Sequence, residues 1–126
     1  MRISVHSAKA KGRRLQAWTR DLILTTFPFL EPDDVKSTSM GASDEDVQLS
    51  PAARKVMPFA IECKSHKAFA IYSIYEQATG HKGSNHEPLA IIKGDRKKPL
   101  VVVDAEYFIK LIGEVYHARA KSGGNQ

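Results

Sequence analysis

The run "KVMPFAIECK", residues 55–64, constrains this chain more than any other feature. Its apolar centre reads as a buried strand, with Pro58 at the start or edge, where a missing N–H costs no ladder bond. The run ends in Glu62-Cys63-Lys64. Side chains alternate along a strand, so Glu62 and Lys64 share one face and Cys63 points to the other. A charged pair where a buried strand emerges is expensive to desolvate unless it is paired or coordinates something. Sixteen residues before Glu62, Asp46 leads into a second strand-like segment, "DVQLSP". Two carboxylates meeting on one face can bind a hard divalent cation, and a lysine beside them can position or deprotonate a water.

The rest of the chain supplies a frame for that strand. Leu15, Trp18, Leu22 and Ile23 recur at helical spacing and predict an amphipathic helix over about 11–26, closed by Pro28 and Pro32. "DVKSTSMGAS" is a short extended stretch followed by a turn, and "DVQLSP" a strand closed by Ser50-Pro51. "HKAFAIYSIYEQATG" has helical periodicity with Gly80 as its stop. "PLAIIK" and "KKPLVVVD" read as two further strands flanking the basic turn "GDRKK". Asp104 is placed to cap a closing helix with Phe108, Leu111, Ile112 and Val115 as its apolar stripe, leaving a disordered tail over about 120–126. This predicts one α/β domain over 1–126, a mixed sheet flanked by helices in the order αβββαββα. Trp18, Tyr72 and Tyr75 are expected to be core residues.

Composition narrows the function classes. The 126 residues are 42% apolar and 26% charged, ordinary for a globular chain. A single cysteine excludes an intrachain disulfide and fits a reducing compartment. No apolar run approaches the length of a bilayer span, and "MRISVHSAKAKGRR" lacks a signal-peptide apolar segment, so an intracellular, cytoplasmic protein without a membrane is expected. The net charge is +5, with Lys9, Lys11, Arg13 and Arg14 in one group and Lys93, Arg96, Lys97 and Lys98 in another. Acids concentrate between Glu31 and Asp46. A basic surface around an acidic pocket suits a polyanion bound broadly and cleaved at a metal centre. His6, His66, His81, His86 and His117 lack finger-like spacing. Cys63, facing away from Glu62 and Lys64, is expected to pack rather than attack.

Taken together, "KGRRLQAWTRDLI", "VKSTSMGASDEDVQLS", "FAIECKSHK", "IYEQA" and "EPLAIIKGDRKKPLVVV" occur in the order found in the PD-(D/E)XK nuclease superfamily. Within it the chain resembles the archaeal-type Holliday junction resolvases and small phage-encoded nucleases, with "IECKS" the most specific match. The resemblance implies a restriction-endonuclease-like core and Mg²⁺-dependent hydrolysis of DNA, with Mn²⁺ able to substitute and no small-molecule cofactor. It implies Asp46 and Glu62 as metal ligands, although Glu45 stands where a proline is usual, with Asp44 as the rival acid. The carbonyl of Cys63 would be a further ligand, and Lys64 would assist the attacking water. Ser39, or Ser37 in its place, resembles a serine near the scissile phosphate. Gln16 falls where the resolvases carry a helix glutamate, keeping an oxygen but losing a charge. Gln77 resembles a glutamine that orients the lysine or the water, its other reading being a half-exposed helix residue.

Lys11, Arg13 and Arg14 are candidates for phosphate contacts, and Lys93, ending its strand as Lys64 does, for the same phosphate. By analogy the substrate would be branched DNA, and paired cleavage of a four-way junction would need a homodimer. The alternatives are a monomeric nicking or repair endonuclease acting on duplex or flaps, and a DNA-binding module that has lost its chemistry. For a phage-encoded protein the site of action would be the host cytoplasm.

Overall fold

The structure, a computed structural model, describes residues 5–38, 45–80 and 86–122. One mixed sheet runs in the order β1-β2-β3-β4-β5, formed by Val35–Ser37, Val47–Leu49, Phe59–Ser65, Glu87–Lys93 and Leu100–Val102. β1 and β2 are antiparallel, as are β2 and β3 through Val47↔Ile61 and β4 and β5 through Ile91↔Val101. β3 and β4 are parallel from Phe59↔Glu87 to Ser65↔Lys93. A parallel pair needs a crossover, and α3 (Ile71–Thr79) lies within it.

Alternation along β3 and β4 divides the core in two. Phe59, Ile61 and Cys63 with Leu89 and Ile91 pack with Leu15 and Ile23 of α1 (Val5–Thr26). Ala90 and Ile92 pack with Ile74 of α3 on the opposite face. Helices therefore cover both faces of the sheet, the arrangement a mixed α/β sheet requires. Among the described residues no helix is long and apolar enough to cross a membrane.

The α/β class and mixed sheet match the sequence expectation; several boundaries do not. A short helix, α2 (Pro51–Val56), stands between β2 and β3, so Lys55 and Val56 end a helix instead of opening the strand. Ser50 caps it by accepting the Ala53 N–H at 3.1 Å, and Pro51 at the first turn has no N–H to lose. α1 starts six residues before Lys11, because "VHSAKA" carries two alanines and no breaker. α3 starts at Ile71, not near His66, since the amide of His66 bonds the carbonyl of Lys93 and extends the strand region.

The closing helix, α4 (Ala105–Ser122), is capped by Asp104, whose Oδ1 accepts the Tyr107 N–H at 2.8 Å. It continues past the expected tail boundary at 120 to Ser122. Its core contacts come from Tyr107 and Leu111, with Tyr107 edge-on to Phe59 at 5.6 Å. Phe108, Ile112 and Val115, expected to face the core, are exposed together with Ile109 and Tyr116. Trp18 and Tyr72, also expected in the core, are exposed, and Tyr75 is half-buried. α1 buries the row through Leu15, Thr19 and Ile23, which leaves Trp18 and Leu22 at the margin of the sheet.

Candidate active site

The antiparallel register fixes where the acids meet. Continuing Val47↔Ile61 by one residue sets Asp46 across from Glu62, and cross-strand partners share a face. Lys64, two residues on, lies on that same face, its Nζ 3.8 Å from Glu62 Oε2. The Glu62 residue is 8% exposed. Asp46 reaches across the strand pair, and its Oδ2 accepts the Cys63 N–H at 2.7 Å. In a strand the C=O of a residue points to the same side as its N–H, so the Cys63 carbonyl also faces the Asp46 side.

Three further groups hold Asp46 in place. Its amide donates to the Ile61 carbonyl at 3.1 Å, and its carbonyl accepts from the Thr38 amide at 3.0 Å. The Thr38 hydroxyl lies 3.2 Å from the carbonyls of both Glu45 and Asp46. Glu45, where a proline was expected, is largely buried and paired with Arg54 of α2 at 2.6 Å. Arg54 also donates to the Phe59 carbonyl at 3.4 Å, tying α2 to the start of β3. Asp34 continues this scaffold: its Oδ1 accepts the Ser50 hydroxyl at 2.6 Å and its Oδ2 the Glu31 N–H at 2.7 Å. Those two hydrogen bonds hold the Asp34 carboxyl below its usual range. Thr38 and Arg54 were not singled out in the sequence, and Glu45 only for standing where a proline is usual. Ser50-Pro51, read as the close of a strand, also starts the helix that carries Arg54.

Cys63 faces the opposite layer, its Sγ 3.8 Å from the Thr19 hydroxyl. Burial pushes its thiol up from 9.0 to about 12, with the Asp46 and Glu62 carboxylates adding to the rise. It is a protonated core residue at neutral pH, not a nucleophile.

Gln16 is 2% exposed and lies one turn before Arg20, whose Nε donates to the Val35 carbonyl at 3.0 Å. Residues four apart lie on one side of a helix, so Gln16 is on the β1 side of α1, the side of the sheet that Asp46 occupies. Gln77 is exposed on α3, the helix that covers the face of Glu62 and Lys64. Ser39 and Asp44 lie outside the described residues. Ser37 is exposed at the end of β1.

The basic residues separate. Lys11, Arg14 and Trp18 occupy one row of α1 and line a cleft of about 540 Å³ together with Ser65, Lys93 and Arg96. Arg13 is exposed and outside that lining. Lys93 pairs in register with Ser65, not with Lys64. Strand alternation therefore turns Lys93 to the α1 face, away from the face of Glu62 and Lys64. Lys11 spans the cleft rim to Asp95 at 2.7 Å and, with Lys67 and Lys93 nearby, holds the Asp95 carboxyl below its usual range.

Among the described residues no three His, Cys, Asp or Glu side chains cluster closely enough to hold a metal ion. The Asp46–Glu62 site offers two carboxylates and a main-chain carbonyl, all oxygen donors. That set fits a hard cation that keeps several of its waters, the habit of Mg²⁺. It does not fit Zn²⁺ held by nitrogen and sulfur.

What fold and site define is an α/β chain with an acid, acid and lysine group at the edge of its central strand. No protein-family model, curated protein or solved structure matches this chain.

Proposed function

We propose that this chain is a metal-dependent endodeoxyribonuclease with a restriction-endonuclease-like core, acting on branched DNA. The observation that carries the proposal is the meeting of Asp46, Glu62 and Lys64 beside the Cys63 backbone, with the Asp46 carboxylate bonded to the Cys63 amide at 2.7 Å.

Asp46, Glu62 and the Cys63 carbonyl would hold Mg²⁺, or Mn²⁺ in its place. The ion's chemistry would be activation of water and neutralisation of charge on the scissile phosphate. The chain's own part is positioning. Thr38, the Glu45–Arg54 pair and the Ile61 carbonyl fix Asp46 before substrate arrives. Lys64 donates hydrogen bonds to the attacking water or a phosphate oxygen, and the neighbouring Glu62 carboxylate keeps its ammonium oriented. Gln16 stands on α1 where the resolvases carry a helix carboxylate, so that helix brings no further negative charge toward the site, which favours one ion over two.

The exposed face of α4 supports a homodimer. Phe108, Ile109, Ile112, Val115 and Tyr116 are exposed at i, i+1, i+4, i+7 and i+8, a single apolar side of one helix. Two copies joined there would bring two sites to one junction, as paired incision requires.

The test is incubation with a labelled four-way junction and a linear duplex of the same sequence, in Mg²⁺ or EDTA. Paired nicks in the junction, absent in EDTA, are the expected result. Equal cleavage of linear duplex would assign a general endonuclease instead. DNA binding without cleavage in Mg²⁺ or Mn²⁺ would assign a non-catalytic module.

A further inference from the structure

The cleft on the α1 face takes no part in the chemistry at Asp46, Glu62 and Lys64, yet its lining is specialised. Four cations, Lys11, Arg14, Lys93 and Arg96, surround it, and its one acid, Asp95, is already paired with Lys11. Trp18 is 44% exposed in its wall. Cations alone would track the phosphates of any duplex. An indole face beside them adds a surface for a base, and the faces of paired bases inside a duplex are already stacked on their neighbours. The volume, about 540 Å³, is of small-ligand size and suits one nucleotide.

The turn that forms one wall carries a backbone signal of its own. Lys97 N–H bonds the Gly94 carbonyl at 3.2 Å, closing a turn in which Arg96 has φ 59°. That left-handed conformation suits Gly or Asn better than a long side chain. A guanidinium is held there at the cost of backbone strain, in the wall of the basic cleft.

We propose that this cleft binds one unpaired nucleotide of a DNA strand, the base stacked on Trp18 and the phosphate held by Arg14, Lys93 and Arg96. The identity of the polymer rests on the nuclease reading above. Ser65, which lines the cleft, directly follows Lys64 on β3. The cleft and the acidic site thus lie on the two sides of one strand end, and a strand leaving a duplex meets both. This makes a nucleotide that unpairs at the branch on binding the feature that distinguishes substrate from plain duplex.

Trp18 is the sole tryptophan, so emission excited selectively at the indole comes from one residue that lines the cleft. The full chain in EDTA is titrated with a short oligothymidylate, with a dumbbell duplex lacking unpaired bases, and with free thymidine monophosphate. Saturable quenching by the oligothymidylate, weakening as salt rises, is expected, with little quenching by the dumbbell. Trp18→Ala, followed by anisotropy of a labelled oligothymidylate, is expected to weaken binding by about fivefold or more, the low end for loss of one base stack. Arg96→Ala and Lys93→Ala are expected to weaken it severalfold and to flatten its salt dependence. Unchanged fluorescence with the oligothymidylate, or equal quenching by the dumbbell, overturns the proposal. Equal affinity for the free nucleotide overturns the assignment to a strand. Cleavage in Mg²⁺ is scored separately, so a silent Trp18 with intact cleavage refutes only the cleft, and quenching without cleavage refutes only the nuclease.

Discussion

Glu62 is the residue on which the proposed chemistry turns, and its placement explains why a short motif is informative. A carboxylate 8% exposed is tolerated only with partners, and here Lys64 sits 3.8 Å away. Glu62→Gln and Lys64→Ala, assayed on the same DNA, are each expected to lower kcat by at least about 10²-fold, with the circular dichroism spectrum unchanged. Cys63 gives a second residue-scale prediction, since its thiol is raised from 9.0 to about 12 by burial. Folded protein at neutral pH should resist a thiol-specific disulfide reagent and react on unfolding. Because the folded value lies above the unfolded one, the thiol's contribution to stability is fully present below about 9 and is lost as pH climbs toward 12. Denaturant midpoints measured across that window should fall more steeply in the native chain than in Cys63→Ala. The facing of Glu62, Lys64 and Cys63 was legible in the sequence, since strand alternation alone decides it. The facing of Lys93 was not. It ends its strand as Lys64 does, but the β3–β4 register pairs it with Ser65, and one residue of register exchanges the faces.

At the scale of elements, the decisive piece is α2, which brings Arg54 to Glu45 at 2.6 Å and so clamps the segment leading into Asp46. Arg54→Ala leaves Glu45 with an uncompensated charge in a mostly buried position. Thermal and denaturant unfolding should show a loss of about 2–3 kcal/mol, below the range for fully buried pairs because Arg54 is partly exposed. Cleavage should fall through kcat with KM little changed, and the Glu45→Ala, Arg54→Ala double variant should lose less stability than the two single losses summed. Ser50→Ala should cost about 1 kcal/mol through the lost helix cap. The sequence did carry the signal for α2, because Ser followed by Pro is a helix start as readily as a strand end. The apolar run after it drew Lys55 and Val56 into a strand. Helical periodicity was similarly read without a width: the stripe through Leu15, Trp18 and Ile23 was legible, but the sheet covers only part of it and leaves Trp18 at the cleft.

For the whole molecule, the α/β class and the mixed sheet followed from apolar runs alternating with amphipathic segments, and the structure bears both out. The role of α4 did not follow, because an apolar stripe looks the same whether it meets its own core or another surface. Tyr107 and Leu111 meet the core, while Ile112 and its neighbours stay exposed. Ile112→Asp should convert the proposed dimer to a monomer in light scattering and should replace paired junction nicks with single ones. The most direct measurement of the central claim compares the native chain with Glu62→Ala and Lys64→Ala on a labelled four-way junction in Mg²⁺. Cleavage by the native chain, absent in EDTA and lost in both variants, is the expected result; cleavage retained by both variants would contradict the assignment of the site.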